Sequence, residues 1–278
     1  MPTSAPYGSW KSPITTDLIL SGAIGLGQIV LDDEDIYWLE MRPSEGGRMV
    51  IVKQGPETDT EPQPAAVDVT PESFSVRTRV HEYGGGAYLV NDGVVYFSNF
   101  SDQRMYRQDP EGLPTAITPE TDMRYADGCF DIIRNRIICV REDHTLEGEP
   151  VNSIVAVDAV GEAEQEILYQ GSDFCSNPRV SPDGRSLCWL AWVHPNMPWD
   201  GTQLYTARFN GQGKLGEPHL IAGGKTESIF QPEWSPDNVL HFVSDRNGWW
   251  NLWRSEKGQL WQLTSLQGEF GKPQWVFG

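Results

Sequence analysis

The sequence predicts an all-β fold, a β-propeller of four-stranded antiparallel blades, with five blades visible and the start of another. Three observations predict it. The stretch Pro178-Arg179-Val180-Ser181-Pro182-Asp183-Gly184-Arg185-Ser186-Leu187-Cys188-Trp189-Leu190 returns as Pro232-Glu233-Trp234-Ser235-Pro236-Asp237-Asn238-Val239-Leu240-His241-Phe242-Val243. Each copy is an apolar run, a Ser-Pro-Asp turn closed by Gly or Asn, and a second apolar run. Pro presets φ in such a turn, Asp bonds the local backbone, and Gly or Asn accepts the left-handed conformation. Second, apolar strands centred on Val50, Met105, Ile154, Leu204 and Leu252 recur at separations of 55, 49, 50 and 48 residues. Blades of four short strands repeat at about 40–50 residues. Third, the runs are rich in Val, Ile, Tyr, Phe and Trp between Gly, Pro and Asp turns, which is strand composition, and no long amphipathic helical pattern competes with it.

Taken in order, residues 1–13 read as an irregular arm, with Tyr7-Gly8-Ser9-Trp10, and residues 14–278 as the propeller, incomplete at its C-terminal end. The hairpin turns are Asp32-Asp33-Glu34, Asn91-Asp92-Gly93, Arg134-Asn135, Asp183-Gly184 and Asp237-Asn238. The strands after them begin at Ile36, Val94, Ile137, Leu187 and Leu240, and outer strands follow at Met49, Met105, Ile154, Leu204 and Leu252. Units close on apolar–threonine pairs: Val69-Thr70, Ile117-Thr118 and Leu263-Thr264. Two stretches break the pattern. Residues 54–64 are polar and proline-rich, an expected exposed loop. His194-Pro195-Asn196-Met197-Pro198-Trp199-Asp200-Gly201 is an insertion between two strands of the fourth unit. At the end, Lys272-Pro273-Gln274-Trp275-Val276-Phe277 copies Gln231-Pro232-Glu233-Trp234, so it reads as the opening of a further repeat, or as a strand completing the first blade.

Composition bounds the function. With 21 basic and 39 acidic residues the formal charge is -18, a field that repels phosphate backbones and anionic lipid, so neither nucleic acid nor membrane is an expected partner. No basic and apolar leader and no run of about 20 apolar residues is seen, and the expectation is a cytoplasmic protein. The four cysteines, Cys129, Cys139, Cys175 and Cys188, form no Cys-x-x-Cys pair and are expected as free buried thiols. The histidines are scattered without ligand spacing, so no metal and no cofactor is expected.

The blocks His81-Glu82-Tyr83-Gly84-Gly85-Gly86-Ala87-Tyr88, His194-Pro195-Asn196-Met197-Pro198-Trp199-Asp200 and Ser244-Asp245-Arg246-Asn247-Gly248-Trp249-Trp250-Asn251-Leu252, with the paired Ser-Pro-Asp units, resemble the N-terminal propeller of the prolyl oligopeptidase family of serine peptidases. The resemblance covers nearly the whole chain and is to the acylaminoacyl peptidase and dipeptidyl aminopeptidase branch. It implies a seven-bladed propeller that caps an α/β-hydrolase domain and admits short peptides. No Gly-x-Ser-x-Gly and no Ser-x-x-Lys occurs in the sequence, so no catalytic residue can be assigned and the chain alone is expected to be inactive. The implied partners are a peptide substrate in the complete enzyme and the hydrolase domain. A self-contained five-bladed propeller, either a protein-binding scaffold or a carbohydrate-active enzyme using Glu82, Asp127 and Glu233, is the alternative.

The candidate substrate-facing residues are Arg79, His81, Glu82 and Tyr83, beside three glycines that let backbones approach closely near the axis, and Arg124 and Asp127 in the matching position of the third blade. The competing reading for both groups is glycine packing and an Arg–Asp pair that fixes the strand. Trp199, Trp249 and Trp250 are candidate interface residues, with packing between blades as the competing reading. Arg141-Glu142-Asp143-His144 reads as solvated loop charge.

Overall fold

A computed structural model describes residues 4–58 and 64–278; the remainder of the expected 54–64 loop and the first three residues of the arm lie outside the described residues. Five four-stranded antiparallel sheets form, each a simple meander. The first is β1 (Gly25–Asp32), β2 (Asp35–Arg42), β3 (Arg48–Gln54) and β4 (Val67–Asp68). The second is β5 (Tyr88–Asn91), β6 (Val94–Ser98), β7 (Met105–Gln108) and β8 (Thr115–Ala116). The third is β9 (Met123–Asp131), β10 (Arg136–Asp143), β11 (Val151–Asp158) and β12 (Glu166–Gln170). The fourth is β13 (Phe174–Val180), β14 (Ser186–Trp192), β15 (Gln203–Arg208) and β16 (His219–Gly223). The fifth is β17 (Ile229–Trp234), β18 (Leu240–Ser244), β19 (Asn251–Glu256) and β20 (Gln259–Gln262). A five-residue helix, α1 (Thr16–Leu20), lies outside the blades.

The turns form where their chemistry placed them. Asp33, Asp92, Asn135, Gly184 and Asn238 all have positive φ, between 50° and 66°. Asp, Asn and Gly tolerate this left-handed backbone best. The Ser-Pro-Asp turns add a local bond, Ser181 Oγ to Asp183 at 2.7 Å and Ser235 Oγ to Asp237 at 2.6 Å. The closing threonines also repeat a role: the Oγ1 atoms of Thr70, Thr118 and Thr264 accept the backbone N–H of Ile51, Met105 and Leu252 on the third strand of their blades.

Successive blades enclose apolar layers. Tyr37, Leu39, Phe97 and Tyr88 fill the space between the first two, and Tyr96, Tyr125 and Ile137 the next. Ile138, Val140, Leu187 and Trp189 pack between the third and fourth blades, and Leu190, Leu204, Phe242 and Trp253 between the fourth and fifth. Both faces of the three middle sheets are therefore buried, which is why their strands read as continuous apolar runs rather than alternating ones. All four cysteines are free; burial pushes the Cys129 thiol up to about 12.

The first strands pack on one another in chain order, so they form the centre. Four of them carry one left-handed residue, Gln28, Asp127, Asn177 and Gln231, and in the second blade Gly86 stands just before β5. In those four blades the residue sits in a break of the β ladder, a bulge that bends the strand. These residues also stitch neighbouring blades together. Gln28 bridges Ala87 N–H and the Tyr88 carbonyl. Asp127 N–H donates to the Gly86 carbonyl at 2.8 Å, and its carboxylate accepts Asn177 N–H at 2.6 Å.

Residues 272–278, the copy of a blade opening, lie across this centre. The Phe277 N–H donates to the Gly84 carbonyl at 2.9 Å, and Phe277 makes a parallel bridge with Gly85. The segment does not complete the first blade, in which β1 pairs with β2 alone, so the closure expected under the five-bladed alternative does not form. Its backbone pairs with the second blade's glycine turn, where the missing side chains leave room for it.

Candidate functional site

The site begins at residues 79–86. His81 and Glu82 have φ of 52° and 64°, and Gly84, Gly85 and Gly86 follow with 69°, 90° and 53°. A Cβ on Gly84 would collide with the Thr78 carbonyl, one on Gly85 with the Phe277 backbone, and one on Gly86 would sit 2.9 Å from the Asp127 Cα. The triple glycine is thus required by both conformation and space. It turns the chain so tightly that the His81 ring points inward while Glu82 and Tyr83 stay exposed.

Glu142, on β10, is the anchor of this turn. It is 3% exposed, and its Oε1 accepts the His81 N–H at 2.8 Å. Its Oε2 meets His144 Nε2 at 3.1 Å and Arg124 Nη1 at 3.7 Å. Arg124 also pairs with Glu82 at 3.1 Å and donates to the Arg79 carbonyl. The expectation of solvated loop charge at residues 141–144 is therefore corrected at Glu142 and Arg141, which are buried. β10 carries Glu142 into the interior, where an arginine and a histidine surround it. The His81 ring lies 3.0 Å from Asn152 and edge-on to Phe174 and Trp192, at 5.2 and 5.5 Å between centroids. Burial pushes its pKa below the ordinary histidine value, against the opposing pull of Glu142 and Asn152.

A cavity of about 470 Å³ opens over this turn. One wall is His81, Glu82 and Tyr83; the facing wall is the insertion, with His194, Met197 and Trp199; Trp275 and Phe277 close the side. Phe174 and Trp192 stack at 5.4 Å in the floor, and Trp199 meets Trp275 at 4.6 Å. Two sequence blocks more than a hundred residues apart thus form one concave, largely aromatic surface with a carboxylate-bearing rim.

The other candidates lie elsewhere. Arg79 is exposed, with its guanidinium 4.6 Å over the Phe100 ring. Asp127 is buried and paired with Arg179 at 3.0 Å; Arg179 also holds Glu233 at 3.2 Å. Each of the three carboxylates of the carbohydrate-active alternative, Glu82, Asp127 and Glu233, is therefore bound to an arginine. Trp250 is buried, stacked 6.1 Å from Phe230, while the adjacent Trp249 is exposed and does not line the cavity. Among the described residues no cluster of His, Cys, Asp and Glu could hold a metal ion. No helix among the described residues is long and apolar enough to cross a membrane.

No family model and no curated protein matches the sequence. Solved structures do. A puromycin hydrolase superimposes with a TM-score of 0.88 at 34% identity, over 100% of this chain and 44% of that one. The chain matches the propeller portion of the prolyl oligopeptidase family. A puromycin-hydrolysing peptidase of Mycobacterium tuberculosis gives a TM-score of 0.86 at 32% identity, again over 100% of this chain and 44% of that one. Prolyl oligopeptidase B of Galerina marginata, at 11% identity and a TM-score of 0.61 over 87% of this chain and 37% of that one, shares the fold. The chain thus spans under half the length of the relatives it matches.

Within this propeller, sequence reasoning found the two blocks but not their meeting. It missed Phe174, Trp192, Asn152 and Phe277 as neighbours of His81. Phe174 and Trp192 sit inside ordinary strand patterns, and their contact with His81 depends on how blades stack. The signal that was available was the clustering of aromatic and glycine residues in two segments outside the strand pattern.

Proposed function

We propose that this chain is the non-catalytic, substrate-gating propeller of a prolyl-oligopeptidase-like serine peptidase that acts on short peptides in the cytoplasm. Its partners are then an α/β-hydrolase domain, which supplies the nucleophile, and the peptide. The observation that carries the reading is the cavity over the glycine turn, built jointly by the two blocks that resemble the family, in a chain that matches puromycin-hydrolysing peptidases along its whole length. The cavity has no nucleophile beside it: its histidines contact Glu142, Asn152 and aromatic rings rather than a serine. Its chemistry is binding. The arginine pairing of Glu82, Asp127 and Glu233 disfavours glycosidic acid–base work, which needs one carboxyl group held protonated.

A chimera tests the gating role. This chain replaces the matching propeller of puromycin hydrolase, and cleavage of aminoacyl anilides is compared with cleavage of an unfolded polypeptide of about a hundred residues. The reading predicts anilide turnover with the long chain spared. Equal cleavage of both would overturn gating.

A further inference from the structure

We propose that the cleft on the outer edge between the first and second blades, lined by Glu45, Asp68, Glu72, Gln108 and Glu111, binds a primary alkylammonium group. The cleft belongs to the outer strands and shares no lining residue with the cavity over the glycine turn, so it stands apart from the gating reading. The first observation is an acceptor without a donor. Gln108, the last residue of β7, is 5% exposed. It reaches across the blade boundary, where its Nε2 donates to the Val69 carbonyl at 2.8 Å. That bond fixes the amide, and its Oε1 has no hydrogen-bond partner. A buried acceptor left unpaired is a standing cost that a ligand N–H relieves.

The second observation is charge. The cleft, about 460 Å³, is lined by four carboxylates and one cation, Arg48. Glu45 and Asp68 are already engaged: Arg48 Nε meets Glu45 at 2.5 Å, and Arg42 grips Asp68 with both Nη atoms at 2.6 and 2.7 Å. These bonds hold both carboxyl groups below the usual carboxylate range, so they stay ionised. The ion pairs of the cleft are those of Glu45 and Asp68 with Arg42 and Arg48. Glu72 and Glu111 are exposed and have none among the described residues. Nor do the carboxylates of the described residues converge as metal ligands do. The demand is for a cation that brings its own N–H donors, because Gln108 Oε1 and the two free carboxylates only accept. Val69 and Pro71 line the same cleft and cover the methylenes of such a chain. The chain charge of -18 adds a field that draws a cation. A free aliphatic diamine and a lysine side chain both carry this group.

Calorimetric titration of the full chain with cadaverine, Nα-acetyl-lysinamide and tetramethylammonium tests this. At least one of the two primary amines is expected to bind saturably, and the tighter of them identifies the source as a free diamine or a lysine side chain. Tetramethylammonium, which has the charge but no N–H, is expected to bind about 10-fold more weakly. Glu72→Gln combined with Glu111→Gln is expected to weaken the primary amine by about 3-fold or more. Gln108→Met, which removes the acceptor, is expected to weaken it by about 10-fold. Glu217→Gln, at an exposed carboxylate elsewhere, should leave it unchanged. The double variant sits at exposed positions and reads the site even where Gln108→Met fails to fold. No saturable binding by either primary amine, equal affinity for tetramethylammonium, or binding that the double variant leaves intact overturns the site.

Discussion

At the scale of single residues the second blade's turn concentrates the constraints. Gly85 has φ of 90° and lies against the Phe277 backbone, so Gly85→Ala combines strain with collision. It is expected to cost about 2 kcal/mol or more, read from the denaturant midpoint. His81 carries a pH dependence. Its folded pKa is lowered because burial disfavours the imidazolium. The unfolded chain therefore binds a proton first. His81's contribution to stability is complete above about pH 6.5 and declines as pH falls from there through the lower folded pKa. The carboxylates with lowered pKa, such as Asp68 and Asp183, lose their contributions only in more acid solution. A plot of unfolding free energy against pH should thus slope downward on the acid side of about 6.5, and His81→Gln should flatten that portion. That His81, Glu82 and Tyr83 mark a special place was legible from three consecutive glycines. That Glu142 anchors it was not, because a carboxylate followed by Asp and His has the composition of a solvated loop and only strand pairing reveals which way it points.

At the scale of elements the same small devices recur in every blade, and they separate what a sequence shows from what it hides. Turn chemistry is local, so all five hairpin turns were legible. The turns still differ in tolerance. A Cβ on Gly184 would strike the Ile133 side chain at φ of 66°, whereas Asn135 already holds a side chain at φ of 50°. Gly184→Ala is expected to destabilise by about 1–2 kcal/mol and Asn135→Gly to change stability by only a few tenths, each measured by thermal unfolding. The left-handed residue in or just before each first strand was not legible as a repeat, because it is Gln, Gly, Asp, Asn and Gln in turn. At Gln28 and Asp127 the side chain also bonds the next blade. Asp127 is the member with a charge: removing it leaves Arg179 with Glu233 alone and the Asn177 N–H without its acceptor, and Asp127→Ala is expected to cost about 1–3 kcal/mol.

At the scale of the whole molecule four apolar layers hold five blades in sequence, and this architecture followed from the spacing of strands alone. The bridging of blades by residues 272–278 did not, because a segment that copies a blade opening in sequence can pair only with what geometry brings near. The first blade leaves Leu26, Ile29 and Leu31 more than 70% exposed on β1. A contiguous apolar strand face of this kind favours association, so light scattering should show concentration-dependent self-association that Leu26→Lys with Ile29→Glu suppresses. The sequence resembles a peptidase-family propeller and contains no Gly-x-Ser-x-Gly. The most direct test is fluorophosphonate labelling of the purified chain, run beside acyl-peptide and aminoacyl anilide substrates. The account predicts no labelled serine and no turnover. Specific labelling of one serine, with hydrolysis that the label abolishes, would contradict it.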